Sequence, residues 1–357
     1  MVKVAVIGGD GIGPEVVGAG IRVLGAAAED EPALDLEFTE FPWGCEYYLE
    51  HTRMMPEDAL ETLAGFDVIY LGAVGWPSVP DHVSLWGLLL PIRRGFDQYV
   101  NLRPTRLLRG VESPLSKPGG TLDITVVREN TEGEYSDSGG RIYTGTPHEI
   151  AVQESVFTRR GVERIVRYGY EEARRRRGLL VGATKSNGIS ITMPFFDEIF
   201  REVGEEFQDV EASLMHADAL AARLVLDPER FDVVVGSNLL GDILSEVTAA
   251  ISGAIGIAPS ANLNPGGTYP SLFEPIHGSA PDIAGKDVAN PSGAIWAGAL
   301  LLEHIGYPGA GERVLNALED TLASGTKTRD LGGSATTEAV AQAVIERLHS
   351  HHNQGRL

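Results

Sequence analysis

Short apolar runs that end at Gly or Asn alternate with longer amphipathic stretches along much of the chain. Val2 to Ile7, Phe66 to Leu71, Leu122 to Val127, Leu179 to Gly182 and Phe231 to Val235 read as buried strands. Between them, Thr158 to Arg177 reads as a helix, with Val162, Ile165, Val166 and Ala173 on one face. Its closing run, Arg174 to Arg177, fits a solvated helix C-terminus, where cations complement the dipole, better than a binding site. Strand and helix in alternation predict an α/β fold with much parallel sheet. Pro-Gly turns are expected at Lys117-Pro118-Gly119-Gly120 and Asn264-Pro265-Gly266-Gly267. Neither is long enough to be a flexible linker, so two domains would have to interleave or pack tightly.

Composition narrows the class. A length of 357 residues suits about two domains, and 43% hydrophobic with 22% charged residues is a globular balance. The longest uncharged apolar run, Ala294 to Leu302, stops at Glu303, well short of the ~20 residues that span a bilayer. The chain opens on a strand-like segment rather than a secretory signal, so a cytoplasmic location is expected. Cys45 is the only cysteine, which excludes an internal disulfide and a cysteine-cluster metal site. A formal charge of −21 disfavours nucleic acid and anionic membrane as partners. A small anionic ligand would therefore need local positive charge. Arginine must supply most of it, since the lysines are only Lys3, Lys117, Lys185, Lys286 and Lys327.

Several segments carry candidate chemistry. After the apolar run at Phe231, Gly236-Ser237-Asn238-Leu239-Leu240-Gly241-Asp242 turns into a helix, where Asp242 and Glu246, four residues apart, would share one face. Carboxylates opening a helix are also favoured by its dipole alone. Gly8-Gly9-Asp10-Gly11-Ile12-Gly13-Pro14 follows the first strand, but the third glycine position of a dinucleotide fingerprint falls on Pro14 and no acidic residue clearly ends a second strand. What remains is a tight turn into a helix whose N-terminal amides could face an anion or a cofactor. Arg93, Arg103 and Arg128 lie near the ends of apolar segments, and guanidinium forks suit a dicarboxylate; each alone reads more readily as a surface ion pair. Tyr135, Lys185 and Asp218 are equally ambiguous one by one, although Lys185 follows a strand where α/β loops place functional groups. His277-Gly278-Ser279-Ala280-Pro281-Asp282, followed by Asn290, would let backbone approach a flat ligand, and Asp282 could accept bonds from ribose hydroxyls.

Taken together, from Val2 to about Ile345, these motifs resemble the β-decarboxylating dehydrogenases, the family of isopropylmalate and isocitrate dehydrogenases. The resemblance implies an α/β, isopropylmalate dehydrogenase-like two-domain fold that is not a Rossmann fold. Residues 1–98 plus 253–357 would form the cofactor-binding domain, and 99–252 the substrate, metal and dimerisation domain. It implies that Arg93, Arg103 and Arg128 hold the malate moiety, that Lys185 and Tyr135 move protons, and that Asp218, Asp242 and Glu246 surround Mg²⁺ or Mn²⁺. It further implies that His277, Gly278, Ser279, Ala280, Asp282 and Asn290 bind NAD, and that a homodimer shares its sites, with Lys185 and Asp218 supplied by the neighbouring chain. A potassium requirement stays open.

Four positions depart from common family patterns. Glu246 replaces an aspartate, and its extra methylene shifts the carboxylate. In Asp81 to Leu90, the segment implied to read the substrate's variable group, Gly87 and Leu89 replace the Ser and Asn of isocitrate enzymes, and Trp86 replaces the Glu of isopropylmalate enzymes. This string resembles the D-malate and tartrate branch, with Trp86 and Leu89 bounding a small 2-hydroxy dicarboxylic acid. The expected activity is oxidative decarboxylation of D-malate to pyruvate and CO₂, with tartrate as a further candidate. The alternatives are a 3-isopropylmalate dehydrogenase and a non-catalytic subunit of the same fold.

Overall fold

The computed structural model describes residues 1–115, 122–253 and 255–354. The turn expected at Lys117–Gly120 lies outside the described residues. In chain order the elements are β1 (Val2–Gly9), α1 (Gly13–Glu29), β2 (Leu36–Phe41), α2 (Cys45–His51), α3 (Ala59–Leu63), β3 (Val68–Ala73), α4 (Asp81–Ser84), a π turn (Leu85–Leu89), α5 (Leu90–Gly95) and β4 (Val100–Arg106). There follow β5 (Asp123–Glu129), β6 (Gly139–Ile142), β7 (Ile150–Gln153), α6 (Arg159–Arg175), β8 (Leu179–Thr184), α7 (Thr192–Gly204), β9 (Glu211–His216), α8 (Ala217–Leu226), β10 (Val233–Gly236) and α9 (Asn238–Ile251). The chain closes with β11 (Pro259–Leu263), β12 (Ser271–Pro275), α10 (Ser292–His304), α11 (Pro308–Ala323) and α12 (Thr337–Gln354).

Two compact units divide the chain: Met1–Gln98, Pro104–Ser116 and Ala249–Leu357 form the first, and Tyr99–Arg103 with Lys117–Thr248 the second. The division crosses β4 and α9, so Pro104–Ser116 and the end of α9 belong to the first unit. Within the first unit the strands run β2-β1-β3-β12-β11. β1 pairs in parallel with β2 and β3, β12 is parallel to β3, and β11 is antiparallel to β12. That mixed order is not the parallel Rossmann arrangement, in keeping with a glycine fingerprint that fails at Pro14. Alternation along β3 separates two cores. Ile69 and Leu71 pack with Met54, Leu63, Leu88 and Ile92, whereas Tyr70 turns to the opposite face and donates its hydroxyl proton to Ala294 O at 2.6 Å.

In the second unit β5, β10, β8 and β9 pair in parallel. α6 packs on one face, its Gly169 against Val235; Leu220 and Leu224 of α8 and Leu244 of α9 join Ile124, Val126 and Val234 in an apolar cluster. The strands and amphipathic helix expected from periodicity appear within a few residues of their predicted limits. The arginine run at the end of α6 does more than face solvent. Arg174 clamps Asp209 through two bonds of 2.7 and 2.6 Å, and Arg176 Nε meets the fully buried Asp232 carboxylate at 2.8 Å. Asp232, next to the apolar strand, was the unread signal for that pairing.

Gly72 in β3 lets α1 lie directly on the sheet, because a Cβ there would stand 2.2 Å from Gly8 O and 2.8 Å from Gly13 Cα. Gly25, farther along α1, has nothing within 4 Å of its Cβ position. Gly72→Ala should therefore cost about 1–3 kcal/mol by overpacking against backbone. Gly25→Ala should instead stabilise by up to about 1 kcal/mol through helix propensity. Urea midpoints moving in opposite directions for the two variants would bear this out; an unshifted Gly72→Ala midpoint would refute the close approach.

Candidate active site

Helical periodicity on α9 builds the centre of the site in the second unit. Asn238, Asp242, Ser245 and Glu246 recur at spacings of three and four, so their side chains share one face. Asp242 lies past the first turn of α9, which begins at Asn238, so the dipole does not account for it. Two guanidiniums meet its carboxylate. Arg103 Nη1, from β4, is 3.1 Å from Asp242 Oδ1, and Arg128 Nη1, at the end of β5, bonds the same oxygen. Tyr135 donates its hydroxyl proton to Asp242 Oδ2 at 3.2 Å, with the Arg128 guanidinium over its ring. Glu246 Oε1 stands 3.5 Å from Arg103 Nη1.

Three neighbours missed in the sequence orient these groups. Asn238 Oδ1 accepts from Arg128 Nε at 3.2 Å and Nη2 at 2.7 Å, while Ser245 Oγ accepts from Arg103 Nη1 at 2.8 Å. Glu134 fixes the start of α9 by accepting from Ser237 Oγ and from the Leu239 amide. Asn238 and Ser245 share the helical spacing of Asp242 on α9, whereas Glu134 lies outside that helix. Burial raises the pKa of Tyr135, and the Asp242 charge adds to it against Arg128 and Arg103, so the phenol keeps its proton. Burial likewise lifts Glu246, opposed by Arg103.

Lys185 and Asp218 form a separate pair at 2.9 Å, beyond the ends of β8 and β9, and the lysine hydrogen bond draws the exposed Asp218 below its usual range. Asp218 does not join Asp242 and Glu246 in this chain. Among the described residues, no three His, Cys, Asp or Glu side chains gather as a metal site. The chain alone thus offers a cation two carboxylates, each already facing arginine. This donor set is hard oxygen, as Mg²⁺ or Mn²⁺ requires, and needs a further ligand from elsewhere.

The remaining candidates lie in the first unit. Arg93 is buried, with Nη2 2.9 Å from Glu274 Oε1, an oxygen that also accepts from Asn262. Trp86 and Leu89 sit half-buried on the π turn. The glycine turn and the His277 loop are joined: the Ile12 amide donates to Ser279 O at 2.8 Å, and a Cβ on Gly11, at φ +60°, would stand 2.0 Å from that oxygen. The Ile12 amide is therefore already used, which removes one of the amides that the turn was expected to offer an anion or a cofactor. Asp10, buried at the same turn, accepts from the Cys45 and Gly75 amides. Ala280 adopts φ +39°, Gly278 and Asp282 are exposed, and Asn290 bonds Asp330 and the Ser292 amide. His277 Nδ1 lies 3.0 Å from Gly278 O while Nε2 is buried without a protein partner, and burial pushes the ring toward its neutral form. A buried, unpartnered ring nitrogen beside exposed loop backbone fits a polar, flat ligand such as a nicotinamide nucleotide.

The isocitrate/isopropylmalate dehydrogenase family model matches residues 3–347. The chain belongs to that family. It is 56% identical over 353 residues to the D-malate dehydrogenase [decarboxylating] of Escherichia coli (strain K12), covering 96% of this chain and 98% of that protein. It is 53% identical over 356 residues to a tartrate dehydrogenase/decarboxylase of Pseudomonas putida, covering 97% of each. Among solved structures, isocitrate dehydrogenase from Methylococcus capsulatus superposes with a TM-score of 0.88 at 33% identity, covering 98% of this chain and 99% of that one. The two-domain family fold is thereby established, and the protein is an enzyme, a decarboxylating dehydrogenase. NAD-dependent, metal-assisted oxidative decarboxylation is the activity typical of the family. No helix among the described residues of this family member is long and apolar enough to cross a membrane.

Asn238→Ala would leave two Arg128 donors without their acceptor in a buried setting, at a cost of about 1–3 kcal/mol. Substrate KM should rise by roughly tenfold or more, with a smaller change in the KM for the nucleotide. Unchanged substrate KM would mean that Arg128 needs no help from Asn238.

Proposed function

We propose that this enzyme oxidatively decarboxylates D-malate to pyruvate and CO₂ with NAD⁺ and Mg²⁺ or Mn²⁺, and that it also accepts tartrate. The observation that carries the reading is the cluster of Arg103, Arg128 and Tyr135 on Asp242, a set of charged forks and a proton donor suited to a small dicarboxylate. The D-malate and tartrate activities named for the E. coli and P. putida relatives, together with Trp86 in the specificity segment, favour a C4 acid over isopropylmalate. Family correspondence alone adds Arg93 to the substrate side and the His277 to Asp282 loop with Asn290 to the nucleotide side.

In this reading, the His277 to Asp282 loop with Asn290 would hold a nicotinamide nucleotide that supplies a hydride acceptor, and Asp242 and Glu246 would hold a divalent ion that supplies positive charge. Arg103 and Arg128 can turn to the substrate carboxylates only when Asp242 and Glu246 face another cation, so substrate and divalent ion should bind together. Lys185 takes the C2 hydroxyl proton. Tyr135, which burial keeps protonated, delivers a proton to C3 after the β-carboxylate leaves as CO₂. Asp282 favours NAD⁺ over NADP⁺, since a carboxylate accepts ribose hydroxyls and repels a 2′-phosphate.

Lys185 and Asp218 complete the site from the neighbouring chain of a homodimer. Exposed apolar side chains in the same unit support this: Ile189 and Ile191 follow Lys185 in sequence, Leu226 ends α8, and Leu239 and Ile243 stand four apart on α9. Ile142, Ile150 and Val152 are also exposed on the β6–β7 hairpin.

NADH formation should be fastest with D-malate or tartrate, weak with 3-isopropylmalate and isocitrate, and absent without divalent ion. Lys185→Ala should lower kcat by roughly 10²–10⁴-fold with little change in NAD⁺ affinity. Preference for isopropylmalate would overturn the substrate assignment, and a Lys185→Ala enzyme within a few-fold of wild type would place the base elsewhere. Mixing inactive Lys185→Ala and Arg103→Ala chains should restore activity after subunit exchange; none in demonstrably mixed dimers would contradict sharing.

A further inference from the structure

The helix from Asp81 to Gly95 is interrupted by the π turn Leu85–Leu89, where the Leu90 amide reaches back five residues to Leu85 O. Two residues account for the widening. Pro91 has no amide proton, and in a regular helix its ring would press on the carbonyl of Gly87, four residues earlier. Gly87 itself is crowded against Met54, which is 2% exposed: a Cβ at position 87 would stand 2.6 Å from Met54 Cγ. The backbone is thus held on one side by a close contact and opened on the other by a proline. Such π turns concentrate at functional sites.

The turn has a rotational consequence. Residues eight apart in a regular helix are offset by roughly 80° around the axis. A π turn takes more residues per revolution and removes much of that offset, which brings positions 86 and 94 toward the same side. The Arg94 side chain, leaning toward the helix N-terminus, places Cζ 4.7 Å from the centroid of the Trp86 ring. Its neighbour Arg93 points into the protein and is held by Glu274. Adjacent arginines have separate tasks.

We propose that Arg94 is a specificity-positioning residue: its guanidinium, stacked on Trp86 across the π turn, holds the indole in the one orientation that limits the size of the group at C3 of the substrate. This rests on the reading of Trp86 as the residue that bounds a C4 acid. An indole released from Arg94 can swing, and the space it vacates admits a larger apolar group. Selectivity between small and bulky malate derivatives should fall accordingly.

Two readouts test the proposal. The first is the ratio of kcat/KM for D-malate to that for 3-isopropylmalate in wild type, Arg94→Leu, Arg94→Lys, Trp86→Ala and the Arg94→Leu/Trp86→Ala double variant. Arg94→Leu should lower the ratio by about threefold to thirtyfold, the worth of a cation–π contact. Arg94→Lys should restore part of it, and Arg94→Leu should add nothing once Trp86 is alanine. The second needs no substrate: acrylamide quenching of the Trp86 emission, taken as the difference between each protein and its Trp86→Phe counterpart, should increase in Arg94→Leu. An unchanged quenching difference overturns the proposal whatever the substrate proves to be. An equal loss of selectivity with and without Trp86 also overturns it, since Arg94 would then act through its charge on the anionic substrate. A wild-type enzyme that ignores D-malate would instead fail the substrate reading, leaving the quenching result to judge Arg94.

Discussion

The carboxylate of Asp242, held between the guanidiniums of Arg103 and Arg128 and receiving the Tyr135 proton, ties β4, β5, the turn after β5 and α9 to one point. Arg128 has only 3% of its side chain exposed and Arg103 10%, so neither charge can be left unpaired without a large penalty. Each guanidinium is therefore fixed a second time by a neutral acceptor, Asn238 for Arg128 and Ser245 for Arg103. Because these acceptors come from the same face of α9 as Asp242, the helix period sets the geometry of the whole cluster. The clamp of Glu134 on the start of α9 then fixes where that period begins.

This arrangement also resolves the tension between an acidic chain and an anionic substrate. A formal charge of −21 repels a dicarboxylate at long range, and the protein answers with arginines buried at a few strand ends rather than a basic surface. Those arginines are paired with Asp242 and Glu246. Burial keeps the Tyr135 phenol protonated within the same cluster, so in the proposed reading one environment serves both anion recognition and proton delivery.

Much of the fold was legible because strand and helix periods are strong local signals: β1, β3, β5, β8, β10 and α6 all fall where apolar periodicity places them. β2, with alternate side chains only half-buried, and β6 and β7, exposed along their length, gave no such run. The antiparallel β11–β12 pair was hidden by its polar members Ser260, Asn262 and Glu274, buried for hydrogen bonding rather than for apolar packing. In the site, charged residues were readable by type, and family correspondence supplied their roles. Asn238, Ser245 and Glu134 were not, because their importance lies in what they orient. The Ile12–Ser279 bond joins segments far apart in sequence, which no local pattern reveals. The Arg174 to Arg177 run closes α6 as expected, and its acidic partners Asp209 and Asp232 were not legible because they lie in other segments.

The most direct test of the account is the product balance of a single reaction: NADH, pyruvate, oxaloacetate and CO₂ measured together from D-malate with NAD⁺ and Mn²⁺. Oxidation and decarboxylation at one cluster require NADH, pyruvate and CO₂ in equal amounts with no oxaloacetate released. NADH accompanied by accumulating oxaloacetate, without matching CO₂, would contradict it.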